Sequence, residues 1–384
     1  MAPTPGEYTV GVEEEYQLVD RESGELKSRA RSVIALDWSG DIKPEMQENT
    51  VEVETRICPD TGCVRDELAR LRLQAAVAAE ARGLRVVAAG THPFSGWEDQ
   101  RFTPGEVYAS IREEYRRLAE TQNIFGMHVH VSVPEGVDRV RVMNAARLFL
   151  PHLLALTASS PLYLGEDSGY ASYRSILWRR WPRSGAPPRL EDAAEYRRLV
   201  ELLTETGCID APGRVYWEIR PHHVYPTLEY RVADVTPRLE DAVTAAALAR
   251  AVTAGVVEGV LREPDLPEAL VGPLLRENAW RASRDGVGAE LLEMEGDRVA
   301  VVPAREALLR LAERLAPIAE RLGDGELLAG LPGVLERGDA AARIRARAAE
   351  VGGDLREVVR WLADETVLGV GLDRRTEQRE ALVE

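Results

Sequence analysis

Pairs of carboxylates at alternating positions are the first feature of the sequence that points to chemistry. Glu13, Glu14 and Glu15 lie in the segment GVEEEYQLVD, and Glu52 and Glu54 lie in ENTVEVET. Alternate side chains of a β-strand point to the same face, so Glu13 pairs with Glu15, and Glu52 pairs with Glu54. Like charges on one strand face repel unless a cation neutralises them, and Mg²⁺ takes oxygen ligands. The two pairs predict a shared acidic metal cluster; the alternative is a solvated patch on half-exposed strands.

The same spacing recurs in two later segments that carry histidine and arginine. His128 and His130 share a face in GMHVHVSV, either as metal ligands or phosphate donors or as structural histidines. Glu229 and Arg231 share a face in TLEYRVAD, and Arg220 lies in the preceding segment WEIRP. A carboxylate beside an arginine suits a metal that accompanies phosphate charge, whereas the alternative is a set of surface salt bridges worth little stability.

The segment Pro161–Pro188 has no regular periodicity and is rich in glycine, aromatic residues and arginine. Its arginines are interleaved with Tyr170, Tyr173, Trp178 and Trp181, and they are Arg174, Arg179, Arg180 and Arg183. Long irregular segments in compact proteins are usually functional or disordered, and the aromatic content favours an ordered loop. We therefore expect a lid or clamp for an anionic substrate, with Arg174 in contact with it; the alternative is a basic surface loop at an oligomer contact.

Composition excludes several classes of protein. The chain has 384 residues, and its 48 basic and 64 acidic side chains give a net charge of −16, which argues against a nucleic-acid coat. Three cysteines form no disulfide framework, and no signal peptide or membrane-spanning run is visible, so a cytoplasmic protein is expected. The motifs GxxxxGK[ST], GxSxG and HExxH are absent, which leaves phosphoryl chemistry on metal ions without a P-loop.

Hydrophobic periodicity places these residues on strands in the first part of the chain. The predicted strands are Tyr8–Val19, Asn49–Cys58, Arg85–Ala89, Phe125–Val133, Val215–Arg220 and Thr227–Ala233. The predicted helices are Val64–Arg82, Glu106–Thr121, Val137–Ser159, Leu190–Thr206, Leu239–Leu261, Pro267–Ala282, Ala304–Leu322, Ala340–Ala349 and Leu355–Leu362. We thus expect all strands within the first 235 residues. The fold class is α+β: a largely antiparallel sheet flanked by helices, with a helical C-terminal third.

Six ordered segments resemble one known family. They are GVEEEYQLVD, ENTVEVETRICPD, GMHVHVSVP, SSPLYLGEDSGYASYRS, WRRWPRSGAPP and YWEIRPHHVYPTLEYRVAD, and they span residues 11–234. The chain resembles the carboxylate–amine ligases of the glutamate–cysteine ligase type 2 group, within the glutamine synthetase and glutamate–cysteine ligase superfamily. The resemblance implies one ligase domain over residues 1–384, with a strand-rich catalytic part (1–235), a helical part (236–384) and an active site on one face of the sheet.

The resemblance also implies roles for single residues. The metal ligands that it implies are Glu13, Glu15, Glu52, Glu229 and His128. Glu54 matches the family pattern less well. His128 also lies near the phosphates, and Arg231 lies beside the transferred phosphoryl group. From their own positions, His130 joins the nucleotide-binding candidates, and Arg220 and Arg174 join Arg231 as catalytic candidates.

The implied reaction uses ATP and Mg²⁺, with Mn²⁺ as an alternative ion, to join glutamate to cysteine through an acyl phosphate. Alternatives are a different amine acceptor, a kinase that stops at phosphoryl transfer, a metal-dependent hydrolase, and a non-catalytic nucleotide- or metal-binding homologue. Small molecules are the expected partners, with neither nucleic acid nor membrane. The long apolar C-terminal helices are candidates for a homodimer interface.

Overall fold

The structure is a computed structural model that describes residues 7–37 and 39–371. The predicted domain of residues 1–384 therefore includes residues 1–6, 38 and 372–384, which lie outside the described part, and its extent stays a prediction. The strands are β1 (Val10–Asp20), β2 (Ile42–Pro44), β3 (Thr50–Glu54), β4 (Leu84–Val87), β5 (Gly126–Ser132), β6 (Leu162–Tyr163), β7 (Glu166–Asp167), β8 (Ile219–Pro221), β9 (Thr227–Asp234), β10 (Glu290–Glu295) and β11 (Arg298–Pro303).

Helices make up most of the remaining regular structure. They are α1 (Ala30–Ile34), α2 (Thr61–Glu80), α3 (Glu106–Tyr115), α4 (Arg117–Glu120), α5 (Arg139–Ala146), α6 (Leu150–Thr157), α7 (Tyr173–Trp178), α8 (Ala193–Glu205), α9 (Leu239–Val257), α10 (Glu268–Asp285), α11 (Ala304–Leu322), α12 (Gly325–Ala329), α13 (Leu331–Glu336), α14 (Ala340–Glu350) and α15 (Leu355–Thr366). In the described part of the chain, no helix has both the length and the apolar character that a membrane crossing requires.

One seven-stranded sheet forms the centre of the fold. Six of its strands run in the order β2-β3-β1-β5-β9-β8, and β4 pairs with the end of β1. Every pairing is antiparallel. The predicted α+β class with a largely antiparallel sheet is therefore confirmed.

One face of this sheet is buried under helices. Val10, Val12 and Tyr16 of β1 point to this face and are at most 1% exposed. Helix α2 packs against β1, and α9 packs against β1 and β5. Helix α2 begins after Asp60, whose side chain accepts a hydrogen bond from the backbone N–H of Cys63 and so caps the first turn.

A buried ion pair joins this covered face to α2. Glu14 points away from Glu13 and Glu15, and Arg72 of α2 donates from Nε to Glu14 Oε2 over 2.9 Å. Both side chains are fully buried, and the hydroxyl of Tyr16 donates to the same carboxylate. Arg72 also donates to the carbonyl of Thr236 over 3.0 Å, which anchors the segment that leads into α9. Glu14 is thus a structural residue, unlike its two neighbours.

The C-terminal third differs from the prediction in a β-hairpin and in two short helices, α12 and α13, that were not expected. Strands β10 and β11 form a two-stranded hairpin, so the expectation that all strands lie within the first 235 residues is wrong. The turn consists of Gly296 and Asp297, and Gly296 has φ +57°, a conformation that glycine adopts without a steric cost. Alternating residues before and after a Gly-Asp pair were the available signal.

Two predicted helices are interrupted. The segment predicted as Val137–Ser159 forms α5 and α6 with a short 3-10 helix, Arg147–Phe149, between them, and Pro151 lies in the first turn of α6. The segment predicted as Glu106–Thr121 breaks at Arg116, which has φ +50°. Neither the proline nor the arginine disturbs the hydrophobic spacing, so periodicity alone does not reveal the breaks.

The ion pair between Glu14 and Arg72 generates a stability prediction. Glu14→Gln should lower the free energy of unfolding by about 3–5 kcal/mol, because the variant leaves a buried guanidinium without its counter-charge. Urea unfolding checks this value. The matched control is Asp364→Asn, because Asp364 pairs with Arg85 at a side-chain exposure of 70% and should cost at most about 1 kcal/mol. Equal losses in the two variants would contradict a structural role for the buried pair.

Candidate active site

Strand register brings the charged side chains of five strands onto the sheet face opposite α2 and α9, here called the carboxylate face. Glu13 lies opposite Glu54 on β3 and opposite His128 on β5. Further register pairs are Glu15 with Glu52, His130 with Glu229, and Glu229 with Arg220. The alternation that the sequence predicts for these pairs is therefore present in the fold.

Glu13 is held by the two histidines of β5. Nδ1 of His128 lies 2.8 Å from one carboxylate oxygen, and Nε2 of His130 lies 2.9 Å from the other. Burial acts to raise the pKa of Glu13, but hydrogen bonding and charge from the histidines hold it well below its usual range. Burial lowers the pKa of His128, and nearby Arg231 lowers it further. Glu13 is thus ionised and already partly neutralised by protein groups.

Glu229 is held by two arginines. Arg220 donates from Nε and Nη2 to the two carboxylate oxygens over 2.7 and 3.0 Å, and Arg231 also pairs with this carboxylate. Burial acts to raise the pKa of Glu229, but the two guanidinium groups hold it far below its usual range. These are buried charge pairs rather than surface salt bridges, with Glu229 only 2% exposed.

The two arginines differ in how many of their guanidinium nitrogens have hydrogen-bond partners in the protein. The third nitrogen of Arg220, Nη1, donates to the carbonyls of Gly213 and Val215, both over 2.7 Å. Arg231 instead has a buried Nε without a hydrogen-bond partner, and its guanidinium lies 5.8 Å from the ring centre of Trp178. The geometry makes Arg220 a support for Glu229 and leaves Arg231 able to contact a substrate. The predicted catalytic contact of Arg220 stays a prediction.

Three carboxylates form a separate cluster, here called the triple-carboxylate cluster. Glu15, Glu45 and Glu52 each offer an oxygen within 4.8 Å of the oxygens of the other two. Glu45 follows β2 directly, and the sequence analysis did not include it because it stands alone after Pro44, outside an alternating pair. Of the predicted metal ligands, Glu15 and Glu52 belong to this cluster.

The remaining predicted metal ligands lie outside the triple-carboxylate cluster. Glu13, His128 and Glu229 are engaged with the protein partners described above. Glu54, which the resemblance matched less well, pairs with Lys43 of β2. The short strand β2 therefore carries Lys43, which pairs with Glu54, and it leads directly into Glu45 of the triple-carboxylate cluster.

Like charges crowd together in the triple-carboxylate cluster. Burial raises the pKa of Glu45 to about 7, with a further contribution from the charge of Glu15. Burial also raises the pKa of Glu52 well above its usual range, and Glu45, Glu13 and Glu15 raise it further. A hard divalent cation relieves this repulsion and accepts oxygen ligands, so the residues fit Mg²⁺.

Arg174 reaches the carboxylate face from the segment that was predicted as a loop. It lies in the first turn of α7, is 4% exposed, and has a buried Nε without a hydrogen-bond partner. A Cβ atom at Gly126 would lie 2.3 Å from Nη2 of Arg174, so glycine is required for this approach. Asp234 lies 3.8 Å from the guanidinium and accepts hydrogen bonds from Ser160, just before the segment, and from Ser172, just before α7.

An aromatic pocket of about 160 Å³ adjoins the triple-carboxylate cluster. Trp178, Trp181 and Tyr216 line it, and their ring centres lie 5.5–6.0 Å apart. Gln122 also lines the pocket, is 4% exposed, and has no hydrogen-bond partner for either side-chain atom. The pocket thus joins an apolar wall to unsatisfied polar groups, as a specific small-molecule site does.

Three comparisons relate the chain to known proteins. The model of the family described as "Glutamate-cysteine ligase family 2(GCS2)" matches residues 9–361. A relative from Herpetosiphon aurantiacus is 37% identical over 373 residues, which is 96% of each chain, and one from Roseiflexus sp. is 39% identical over 366 residues, 94% of this chain and 96% of the relative. Both carry the name "Putative glutamate--cysteine ligase 2".

Solved structures share the fold at low identity. The glutamate–cysteine ligase of Francisella tularensis, in complex with AMP, has a TM-score of 0.72 at 13% identity and covers 97% of this chain and 92% of its own. A bifunctional glutathione synthetase from Pasteurella multocida has a TM-score of 0.65 at 15% identity, over 95% of this chain and 53% of its own.

Crowding in the triple-carboxylate cluster predicts an unusual pH dependence in metal-free protein. Because Glu45 binds its proton more tightly in the folded state, the associated stability is full below its unfolded pKa of about 4.5 and is lost as pH rises to about 7. Urea unfolding in EDTA should show that this one group contributes a loss on the order of 3 kcal/mol between pH 4.5 and 7.5, beside the opposite contributions of buried histidines such as His92. Glu45→Gln, which does not ionise, should remove most of that loss, whereas Glu54→Gln should not. Identical pH profiles for wild type and Glu45→Gln would contradict the crowding.

Proposed function

The chain belongs to glutamate-cysteine ligase family 2, and from this premise we propose that it is an ATP-dependent carboxylate–amine ligase. The first substrate pair is glutamate and cysteine, which would give γ-glutamylcysteine, ADP and phosphate. One observation carries the proposal: the triple-carboxylate cluster lies beside Arg231 and an aromatic pocket on one sheet face. That arrangement combines a place for a divalent cation, a cation for phosphate charge and a separate compartment for an organic substrate.

Several residues would hold the nucleotide and its metal. Glu15, Glu45 and Glu52 would bind Mg²⁺, or Mn²⁺ as the alternative ion, and the bound ion would offset negative charge on the phosphate oxygens. The Francisella relative in complex with AMP supports an adenine nucleotide as substrate. His128 and His130 lie at the same face and would contact the phosphates directly or hold Glu13 in place.

Phosphoryl transfer would activate the carboxylate. The γ-carboxylate of glutamate attacks the terminal phosphorus of ATP, the bond to the bridging oxygen breaks, and ADP leaves with an acyl phosphate formed. Arg231 would stabilise the charge on the transferred oxygens, since its Nε has no protein partner and Glu229 fixes its orientation. The amine then attacks the acyl carbon, phosphate departs, and the amide remains after loss of a proton.

The aromatic pocket would hold the acceptor amine and keep water away from the acyl phosphate. Its apolar wall of Trp178, Trp181 and Tyr216 favours a small, weakly polar side chain, and Gln122 would hydrogen-bond the polar part of the substrate. These features accommodate cysteine and also other small amines of similar size. A different acceptor is therefore the second candidate function, with the same ligase chemistry.

The alternative functions would give different products in the same assay. A kinase would release a phosphorylated product without an amide, and a non-catalytic homologue would bind ATP without turnover. A metal-dependent hydrolase would consume one substrate without a coupling partner. The homodimer and the cytoplasmic location stay predictions.

The proposed reaction predicts acceptor-dependent release of ADP. Purified protein with Mg²⁺, ATP and glutamate should release ADP faster when cysteine is added, and mass spectrometry should detect γ-glutamylcysteine. Glu52→Gln should lower kcat by at least about a hundredfold, because catalytic metal binding would be lost. Glu54→Gln, which removes a carboxylate paired with Lys43, is the matched control and should retain most activity. ADP release with another amine alone would replace cysteine as acceptor, and ATP binding without turnover under every pair would contradict the ligase.

The clamp role of Arg174 predicts uncoupled hydrolysis in a variant. Arg174→Gln should raise the ratio of ADP to amide product or raise KM, because a loosened loop would admit water to the acyl phosphate. Coupled ADP and product assays measure the ratio. Arg180→Gln is the matched control, since Arg180 is an exposed residue that follows α7 in the same segment. Kinetics in Arg174→Gln that equal those of Arg180→Gln would remove Arg174 from the clamp.

A further inference from the structure

A second cleft, with a volume of about 520 Å³, lies away from the carboxylate face. It is bounded by the 3-10 helix before α6, by the segment after α9, by the β10–β11 hairpin and by α11. The backbone N–H of Asp265 donates to the carbonyl of Gly296 over 2.7 Å, and Nη2 of Arg314 donates to the carbonyl of Val260 over 2.7 Å. These hydrogen bonds connect the walls of the cleft to one another. The volume of the cleft lies in the range of small-molecule binding sites.

The cleft contains an unsatisfied buried histidine. His152 of α6 lines it, is 4% exposed, and has no hydrogen-bond partner for Nδ1. Burial lowers the pKa of His152 to about 4, so the ring is neutral near pH 7 and one of its nitrogens accepts while the other donates. A buried polar atom without a partner destabilises the folded state, unless a bound molecule supplies the missing hydrogen bond.

The floor of the cleft is otherwise apolar. Leu148, Phe149, Leu292 and Leu311 line it, and the ring of Phe149 lies 5.7 Å from that of His152. An apolar floor with one hydrogen-bonding group selects a ligand portion that is mainly hydrocarbon and carries a single polar atom.

The rim carries charges of both signs. Its cations are Arg262, Arg310 and Arg314, and its carboxylates are Glu263, Asp265, Glu293 and Glu295. Within the rim, Arg310 approaches Glu293 and Arg314 approaches Glu295 only to 3.4 Å. Beyond the rim, Arg310 pairs with Glu306, and Glu263 pairs with Arg189 over 2.9 Å. Exposed pairs of this kind contribute little stability and exchange partners readily.

Mixed charge at the rim restricts the class of ligand. A polyphosphate would meet four carboxylates, and a simple cation would meet three arginines, so either would face repulsion of like charge. A molecule with one carboxylate and one ammonium group close together meets a partner for each. We propose that this cleft is a second ligand site, separate from the active site, and that it binds a small zwitterion of amino-acid type, up to the size of a dipeptide.

Thermal unfolding of the full chain, without ATP or metal, tests the proposal with the twenty standard L-amino acids as probes. At least one amino acid at 5 mM should raise Tm by about 2 °C or more, since a ligand that binds only the folded state stabilises it. The N-acetyl amide of that amino acid, which lacks both charges, should have no effect. Failure of every amino acid to raise Tm would overturn the proposal, and so would equal stabilisation by the uncharged derivative.

Variants assign the binding to this cleft. His152→Phe keeps an aromatic ring and removes the unsatisfied nitrogen, and Arg262→Gln alters an exposed rim cation, so both should fold. Each should weaken the affinity for the stabilising amino acid at least about tenfold by calorimetry, given the loss of one hydrogen bond or charge contact. Arg276→Gln, on an exposed arginine of α10 outside the cleft, and the active-site variant Arg231→Gln should leave it unchanged. Affinity that survives both cleft substitutions, or that is lost in Arg231→Gln, would overturn the assignment whether or not the ligase activity exists.

Discussion

Carboxylates crowd one face of the central sheet, where their mutual repulsion opposes folding unless cations offset it. Alternation along β1 and β3, with the end of β2, places Glu13, Glu15, Glu45 and Glu52 close together. The fold engages some of the acidic groups with its own side chains: the histidines of β5 contact Glu13, and the cations of Arg220 and Arg231 hold Glu229. The triple-carboxylate cluster keeps its excess of negative charge, and that excess is what a divalent cation would remove.

Support for this face comes from the layers around it. On the covered side, Arg72 neutralises Glu14 and connects β1 to α2 and to the entry of α9. On the open side, Asp234 at the end of β9 fixes Ser160 and Ser172, so that Arg174 lies over Gly126. A central antiparallel sheet with one helical layer thus allows charged groups to converge on its other face while the apolar core stays dry.

Much of this arrangement follows from a period of two in the sequence. Alternation within each strand predicts which of its side chains share a face. Pairing between neighbouring strands then brings these side chains together on one sheet face, and they are Glu13, Glu15, Glu52, His128 and Glu229. Alternation does not separate the residues that remain available to a metal from those that the protein occupies. That distinction depends on side-chain partners such as His128, which lies on a strand distant in sequence from Glu13.

Other features have no periodic signal to find. Glu45 is a single acid after a proline at the end of a three-residue strand, so only the fold shows that it lies with Glu15 and Glu52. The β10–β11 hairpin is different, because alternation on both sides of its Gly-Asp turn is visible in the sequence, and the helical pattern of the flanking segments outweighs it. The break at Arg116 depends on one residue with positive φ, which neither composition nor spacing reveals.

The position of a bound divalent ion would show directly whether the triple-carboxylate cluster holds a metal. Crystals of the protein grown with Mn²⁺, with anomalous scattering collected near the manganese edge, would place the ion without reference to activity. The account predicts a peak bounded by oxygens of Glu15, Glu45 and Glu52, and its loss in crystals of Glu45→Gln. Ordered crystals at saturating Mn²⁺ with no peak there, or a peak that persists unchanged in Glu45→Gln, would contradict it.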